Sequence, residues 1–150
     1  MVSEDVSTFI IEEMILKYFE LEKKYEKTHP TGQDEVTSKD LQNLLSLICC
    51  CTRLKLFQTK LVFEVLHRQI FHFSILSLEL IRSMFNQSAF TLRKEDPVEL
   101  KSLISKIHKK AKEKGDELEE RGGMRIKFII EMLRNWLKEF SNYFLRKHLF

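Results

Sequence analysis

The chain has 150 residues and carries 25 basic against 22 acidic side chains, so its net charge of +3 is too small to indicate nucleic-acid binding by bulk electrostatics. Four Gly and two Pro beside twelve Phe favour long helices over strands and turns, and the length suits one domain. No apolar run approaches the roughly 20 residues that cross a bilayer, and the acidic start at 1–5 is unlike a signal peptide. We expect a soluble, intracellular protein.

Apolar residues recur at three- and four-residue steps through most of the chain, which predicts amphipathic helices. The first helix is predicted over about 7–27, with Asp5 or Ser7 as its cap. A polar segment containing Pro and Gly follows at 28–35 and predicts a long loop.

The second helix is predicted over about 39–51, with Thr37 or Ser38 as its cap, and it is apolar around most of its circumference. It ends in three consecutive cysteines at 49–51. Adjacent helical positions point about 100° apart, so these thiols cannot converge on one metal ion. We interpret them as small packed side chains in a reducing compartment.

Two more helices are predicted over about 56–71 and 74–86. The break between them, at 72–74, is short, which makes the two helices antiparallel neighbours. A charged junction at 92–97 follows them. Pro97 suits the first turn of a helix because it lacks an N–H, and Asp96 can cap that turn.

The fifth predicted helix runs from Pro97 to about Lys114, with Gly115 as its stop. Lysines crowd its outer positions, and part of this cluster complements the helix macrodipole. A charged loop at 116–123, with its two final glycines as a flexible turn, leads to a last helix over about 124–140. This succession of helix and turn predicts a stack of helical hairpins, and a closed bundle is the alternative.

The sequence contains no pattern that indicates catalysis, a metal site or a cofactor. The five histidines lie in different elements without ligand spacing, and the phosphate-loop, dinucleotide and nucleophile-elbow motifs are missing. Adjacent carboxylates such as Glu119 and Glu120 fall where helices or loops meet water. We therefore predict a protein that is not an enzyme and needs no cofactor.

Three segments resemble the MIF4G domain, the middle domain of translation initiation factor 4G, and most closely its nucleolar branch. The branch pattern F-S-L-R-K-D-D-P-x-x-L-K is matched by Phe90, Leu92, Arg93, Lys94, Asp96, Pro97, Leu100 and Lys101, with Glu95 in place of an Asp. The pattern R-x-R-F-M-L-E-T-x-x-x-L-K-N-N is matched by Arg125, Phe128 and Glu131, and the pair Leu137-Lys138 follows one position beyond its Leu-Lys. The stretch 57–66 is similar to V-x-x-x-L-I-F-D-I-L.

The resemblance implies an all-α, HEAT-like stack of antiparallel helical hairpins. It also implies a non-enzymatic scaffold that holds a DEAD-box RNA helicase of the initiation factor 4A type, in nucleolar pre-rRNA processing and small ribosomal subunit biogenesis. The predicted divisions are an N-terminal helix and polar loop at 1–36, a MIF4G-like helical repeat region at 37–140 and a divergent apolar tail at 141–150. We expect the chain to cover the back part of a middle domain.

Two sets of exposed charges are candidate binding residues. The contacts predicted for the helicase are Arg93, Lys94, Glu95, Lys127 and Arg134. The alternative is that Arg93 or Arg125 pairs with Asp96 or Glu131 and only locks adjacent hairpins together. A second hypothesis is direct binding of RNA phosphates, through Lys101, Lys106, Lys109, Lys110 and Lys112, in a segment without interleaved aromatic residues for base stacking.

Overall fold

The computed structural model describes residues 4–28 and 35–148, and in these residues all regular secondary structure is helical. The all-α prediction is confirmed. The helices, in chain order, are α1 Glu4–Thr28, α2 Glu35–Arg53, α3 Thr59–His72, α4 Ile75–Glu95 and α5 Pro97–His148. Most of the loop predicted at 28–35 lies outside the described residues.

The caps predicted for the first two helices are wrong. Asp5 and Ser7 lie inside α1, and Thr37 and Ser38 lie inside α2. Both described helices therefore extend past the predicted starts.

Contacts within the chain divide it into two compact units, 1–62 and 63–150. The length and composition had favoured a single domain. In the first unit α1 packs against α2. Its buried side chains are Tyr18, Glu22, Tyr25, Leu41, Leu45, Ile48, Cys49, Thr52 and Val62. Burial, followed by the neighbouring Cys50, raises the pKa of the Cys51 thiol, so the thiol stays neutral around pH 7.

A two-residue connection joins α3 to α4, at the break that the sequence predicts. Phe73 has a left-handed φ of 44°, its N–H donates to Gln69 O at 2.9 Å, and its side chain is buried. The buried ring holds the residue in this uncommon conformation. Ser74 then caps α4, because its Oγ accepts from the Ser77 N–H at 3.1 Å.

Helix α4 continues to Glu95 and does not end near residue 86 as predicted. The stretch after residue 86 contains no helix breaker, and Ser88 and Leu92 continue the buried stripe of α4. The junction is therefore a single non-helical residue, Asp96. Its N–H donates to Leu92 O at 2.9 Å, and its carboxylate accepts from the Glu99 N–H at 3.0 Å. The predicted cap is confirmed, and Asp96 closes α4 as well.

Helix α5 is not one straight rod. Gly123 interrupts it with φ 67° and ψ −154°, a conformation that L-residues rarely adopt. A Cβ at Gly115 would lie 3.6 Å from Arg134 Nη2 and 4.0 Å from Ile130 Cδ1. Residues this far apart in sequence would be separated by about 22 Å or more along a straight helix. The chain therefore reverses at Gly123, and we name the two segments α5N (97–122) and α5C (124–148).

The stop predicted at Gly115 and the loop predicted at 116–123 are both wrong, because α5N is helical up to the glycine pair. Leu118 is buried, so it extends the apolar stripe of α5N past Gly115. Arg121 and Glu117 form an ion pair across one helical turn at 2.9 Å. The charged residues of this stretch lie on the outer side of a helix.

In the second unit, α5C packs beside α4 and runs in the same direction. Arg125 Nη2 lies 3.0 Å from Glu79 Oε1, and further along both helices the Trp136 ring lies 6.4 Å from the Phe85 ring. Since α5N runs opposite to α5C, it also runs opposite to α4. The prediction of antiparallel helical hairpins is confirmed for this unit. Along 4–28 and 35–148, no helix is long and apolar enough to cross a membrane.

Candidate protein-binding surface

The first three predicted partner contacts lie in the last turn of α4. Arg93 is half-buried, and its guanidinium lies 5.3 Å from the centre of the Phe90 ring. Phe90 itself is 71% exposed, so the two side chains form a mixed apolar and cationic surface. Lys94 and Glu95 are exposed beside them. Cations in the last turn of a helix also complement its macrodipole, so Arg93 and Lys94 have a structural role as well.

The other two predicted contacts, Lys127 and Arg134, lie on α5C, far from the end of α4. Lys127 is close in sequence to Arg125, whose partner Glu79 precedes Arg93 by about 21 Å along α4. Arg134 is half-buried and lies against Gly115 of α5N. The structure therefore does not gather the five predicted contacts into one cluster.

The alternative role for Arg125, a lock between neighbouring helices, agrees with the structure, but with another partner. Arg125 pairs with Glu79, and neither Asp96 nor Glu131 is its partner. The Glu79 side chain is only 14% exposed, whereas that of Arg125 is 70% exposed. The pair joins α4 to α5C just after the chain reversal.

The five lysines of the RNA hypothesis divide between two sides of α5N. Lys101, Lys106, Lys109 and Lys112 are exposed, and Lys110 is half-buried. Lys106 Nζ lies 3.5 Å from His67 Nδ1, and Lys110 Nζ lies 5.8 Å from the centre of the exposed Phe71 ring. These two lysines are thus directed towards α3, and three remain on the outer side.

His67 connects α3 to α5N and was not identified by the sequence analysis. A lysine ammonium can only donate, so Lys106 requires His67 Nδ1 to accept. The Nε2–H of His67 then donates to Glu99 Oε1. These contacts join residues from separate helices, and no sequence spacing reveals them. Within residues 4–28 and 35–148, no three His, Cys, Asp or Glu side chains are grouped to hold a metal ion.

The outer side of α5N changes sign along its length. Past Lys112 the segment carries five carboxylates and two exposed cations: Glu113, Asp116, Glu117, Glu119, Glu120, Lys114 and Arg121. Arg121 is paired with Glu117. A phosphate backbone laid along the whole segment would meet these carboxylates after leaving the lysines. The second half of α5N is therefore less favourable for anions than the first.

Comparison with curated proteins finds related sequences. Nucleolar MIF4G domain-containing protein 1 of Homo sapiens is 30% identical over 111 residues, which cover 74% of this chain and 12% of that protein. The Mus musculus protein of the same name is 28% identical over the same length, and a Drosophila melanogaster homolog is 27% identical over 99 residues. No family model matches the chain, and no solved structure matches it.

The chain spans about 12% of the length of the human and mouse relatives, so it corresponds to part of them. Their printed names call them nucleolar. These names support a location in the nucleolus, within the nucleus, for this chain. The helical structure agrees with a MIF4G domain. The matched region of this chain belongs to the nucleolar MIF4G domain-containing protein family, as a partial domain.

Proposed function

We propose that this chain is a non-enzymatic helical scaffold that binds a DEAD-box RNA helicase of the initiation factor 4A type. Its role is in nucleolar pre-rRNA processing and small ribosomal subunit biogenesis. The observation that carries the proposal is the match to nucleolar MIF4G domain-containing protein 1. The junction from Phe90 to Lys101, which carries the family resemblance, supports it by presenting charges at the surface.

The mechanism implied by the family is to hold the two RecA-like lobes of the helicase in a productive orientation. A scaffold does this by making stronger contacts with one arrangement of the lobes than with others, which shifts their populations. Asp96 suits this task because it fixes the end of α4 and the start of α5N together. The charged turn Arg93–Glu95 is therefore presented on a rigid support.

Calorimetric titration of the purified chain with a helicase of this type tests the proposal. The double charge reversal Arg93→Glu with Lys94→Glu should weaken binding at least about tenfold, since exposed charge pairs at interfaces affect both association and affinity. The matched control is Lys109→Glu with Lys112→Glu, which reverses two exposed charges on α5N outside the junction and should leave binding unchanged. If a folded wild-type chain produces no binding heat, the helicase proposal is wrong for this chain.

A second candidate function is direct RNA binding by α5N, favoured by the exposure of Lys101, Lys109 and Lys112. Its affinity should fall steeply with salt, because each lysine that neutralises a phosphate releases a counterion. Replacing all three lysines by Glu should abolish this binding, whereas replacing Lys106 and Lys110, which are directed towards α3, should weaken it less. RNA binding that does not depend on salt, or no binding at all, contradicts this candidate.

A further inference from the structure

Phe71 on α3 is an exposed aromatic side chain beside the lysines of α5N. It is 73% exposed, and Lys110 Nζ lies 5.8 Å from the centre of its ring. The His72 ring meets the Phe71 ring in a T-shaped arrangement, with 5.7 Å between the two centres. A cation and a second ring therefore limit the orientations of Phe71, while most of its surface stays in water.

Side-chain contacts join α3 to α5N at two levels. His67 Nδ1 lies 3.5 Å from Lys106 Nζ, and one helical turn further on Phe71 meets Lys110. Four residues separate the two levels on each helix, so α3 and α5N run in the same direction here. We name the strip formed by these four side chains the α3–α5N seam.

The seam is cationic beside Phe71. Three lysines of α5N fall within about one helical turn there: Lys106, Lys109 and Lys110. The nearby carboxylates are occupied or lie further out. Glu99 accepts a hydrogen bond from His67, and Glu64 lies about 10 Å before Phe71 along α3. Glu113, about one turn past the lysines, limits the cationic stretch at its far end.

An exposed ring beside clustered cations has the two elements that single-stranded nucleic acid requires, a platform for a base and positive charge for its phosphates. The basic segment 101–114 contains no Phe, Tyr or Trp, and the fold supplies the ring from another helix. A helical peptide would need several apolar anchors, whereas the seam has one.

We propose that the α3–α5N seam binds single-stranded RNA, with one base stacked on Phe71 and the adjacent phosphate on Lys109. Lys110 contacts the ring and helps to orient it. Stacking tolerates every base, so the site accepts RNA of varied sequence. The inference rests on the second candidate function, direct RNA binding, and adds to it a preference for single strands and a stacking residue.

Fluorescence anisotropy with a short labelled oligouridylate, measured over a series of salt concentrations, tests the inference. Phe71→Leu should weaken binding at least about fivefold at every salt concentration, because it removes stacking without changing counterion release. Lys109→Gln should instead reduce the slope of log affinity against log salt by about 0.7, the value for one phosphate of a single strand. Phe71→Tyr keeps an aromatic ring and should bind as the wild type does.

Phe128→Leu is the matched control, because Phe128 is 62% exposed on α5C and lies outside the seam. It should leave RNA affinity unchanged. Phe71→Leu should also leave the affinity for duplex RNA unchanged, since paired bases are not available to stack on the ring. Phe71 is exposed, so its variants should fold normally, which circular dichroism checks.

The outcomes separate this inference from the function on which it rests. If RNA binds in a salt-dependent way but Phe71→Leu binds as tightly as the wild type, the stacking site is wrong and the second candidate function stands. If no RNA binds, both are wrong. If an oligoglutamate peptide competes equally and Phe71→Leu weakens both ligands alike, the seam takes anions in general and the inference is overturned.

Discussion

Two junctions in the second unit reverse the chain by different physical means. At Asp96 one polar side chain and its own N–H satisfy the ends of α4 and α5N together. At Gly122 and Gly123 the reversal depends on the lack of side chains: Gly123 has a φ of 67°, and a Cβ on Gly122 would lie 2.0 Å from Ile126 Cγ1. The first junction depends on hydrogen bonds, and the second depends on glycines that leave room for the backbone turn and for Ile126.

This difference decides how each junction responds to mutation. A capping side chain can be replaced by another of similar chemistry, because its function is to accept one hydrogen bond. A glycine in close contact cannot be replaced by any other residue without moving its neighbour. The glycine junction should therefore be the more sensitive one.

The largest expected effect is that of Gly122→Ala. The new Cβ would collide with the buried Ile126 side chain, so we expect a loss of about 1–3 kcal/mol in the free energy of unfolding. Gly115→Ala is the matched control, because its Cβ would meet only ordinary contacts inside a helix and should stabilise by about 0.5–1 kcal/mol. Urea unfolding measures both. If the two variants change the free energy of unfolding equally, the close contact at Gly122 does not make its junction sensitive to substitution.

Asp96→Ala should have the next largest effect. It removes the acceptor for the Glu99 N–H and should cost about 1 kcal/mol of unfolding free energy, as for other helix caps. Asp96→Asn keeps an acceptor oxygen and should retain most of the stability. If thermal unfolding shows the Asn variant to be as unstable as the Ala variant, the side-chain cap is not what holds this junction.

Ser74→Ala sharpens the comparison at a third connection, which combines a side-chain cap with a positive φ at the residue before it. Ser74 caps α4 while the preceding Phe73 adopts a positive φ. We expect a loss of at most about 1 kcal/mol, because only one of the two contributions is removed. Chemical denaturation of this variant and of Asp96→Ala, measured side by side, ranks the two caps by their contribution to stability. A larger loss at Ser74 would show that this cap carries more of the connection than we infer.

The smallest effect is expected for the ion pair that joins α5C to α4. A double-mutant cycle with Arg125→Ala and Glu79→Ala should give a coupling of about 0.5–1 kcal/mol, reduced by the exposure of Arg125 and by salt. Repeating the cycle at high salt should lower the coupling. A coupling of zero would mean that apolar packing alone positions α5C on α4.

The sequence predicted the helical class and the Asp96 cap because both depend on local patterns. The apolar periodicity extends over whole helices, and an Asp before a Pro is a local capping signal. The charged run from Asp116 to Arg121 was mistaken for a loop because charge alone does not separate a loop from the outer side of a helix. Burial of Leu118 and the collision at Gly122 depend on a neighbour that only the folded chain supplies.

The candidate site was predicted less well than the fold, for a similar reason. Arg93 and Lys94 were identified from a contiguous motif, and both contribute to the last turn of α4. The Arg125–Glu79 pair and the contacts of His67 join residues that are distant in sequence. No spacing within one helix could have revealed them.

Both the packing of α5C beside α4 and the contact of Arg134 with Gly115 exist only if α5 folds back on itself. The distance between spin labels at Lys112→Cys and Asn135→Cys, in a chain whose native cysteines are replaced, tests this directly. Packed helix axes lie about 8–10 Å apart, so the folded-back arrangement predicts a label separation below about 25 Å. A continuous helix would place the two positions about 34 Å apart along its axis, and a distance in that range would contradict the account.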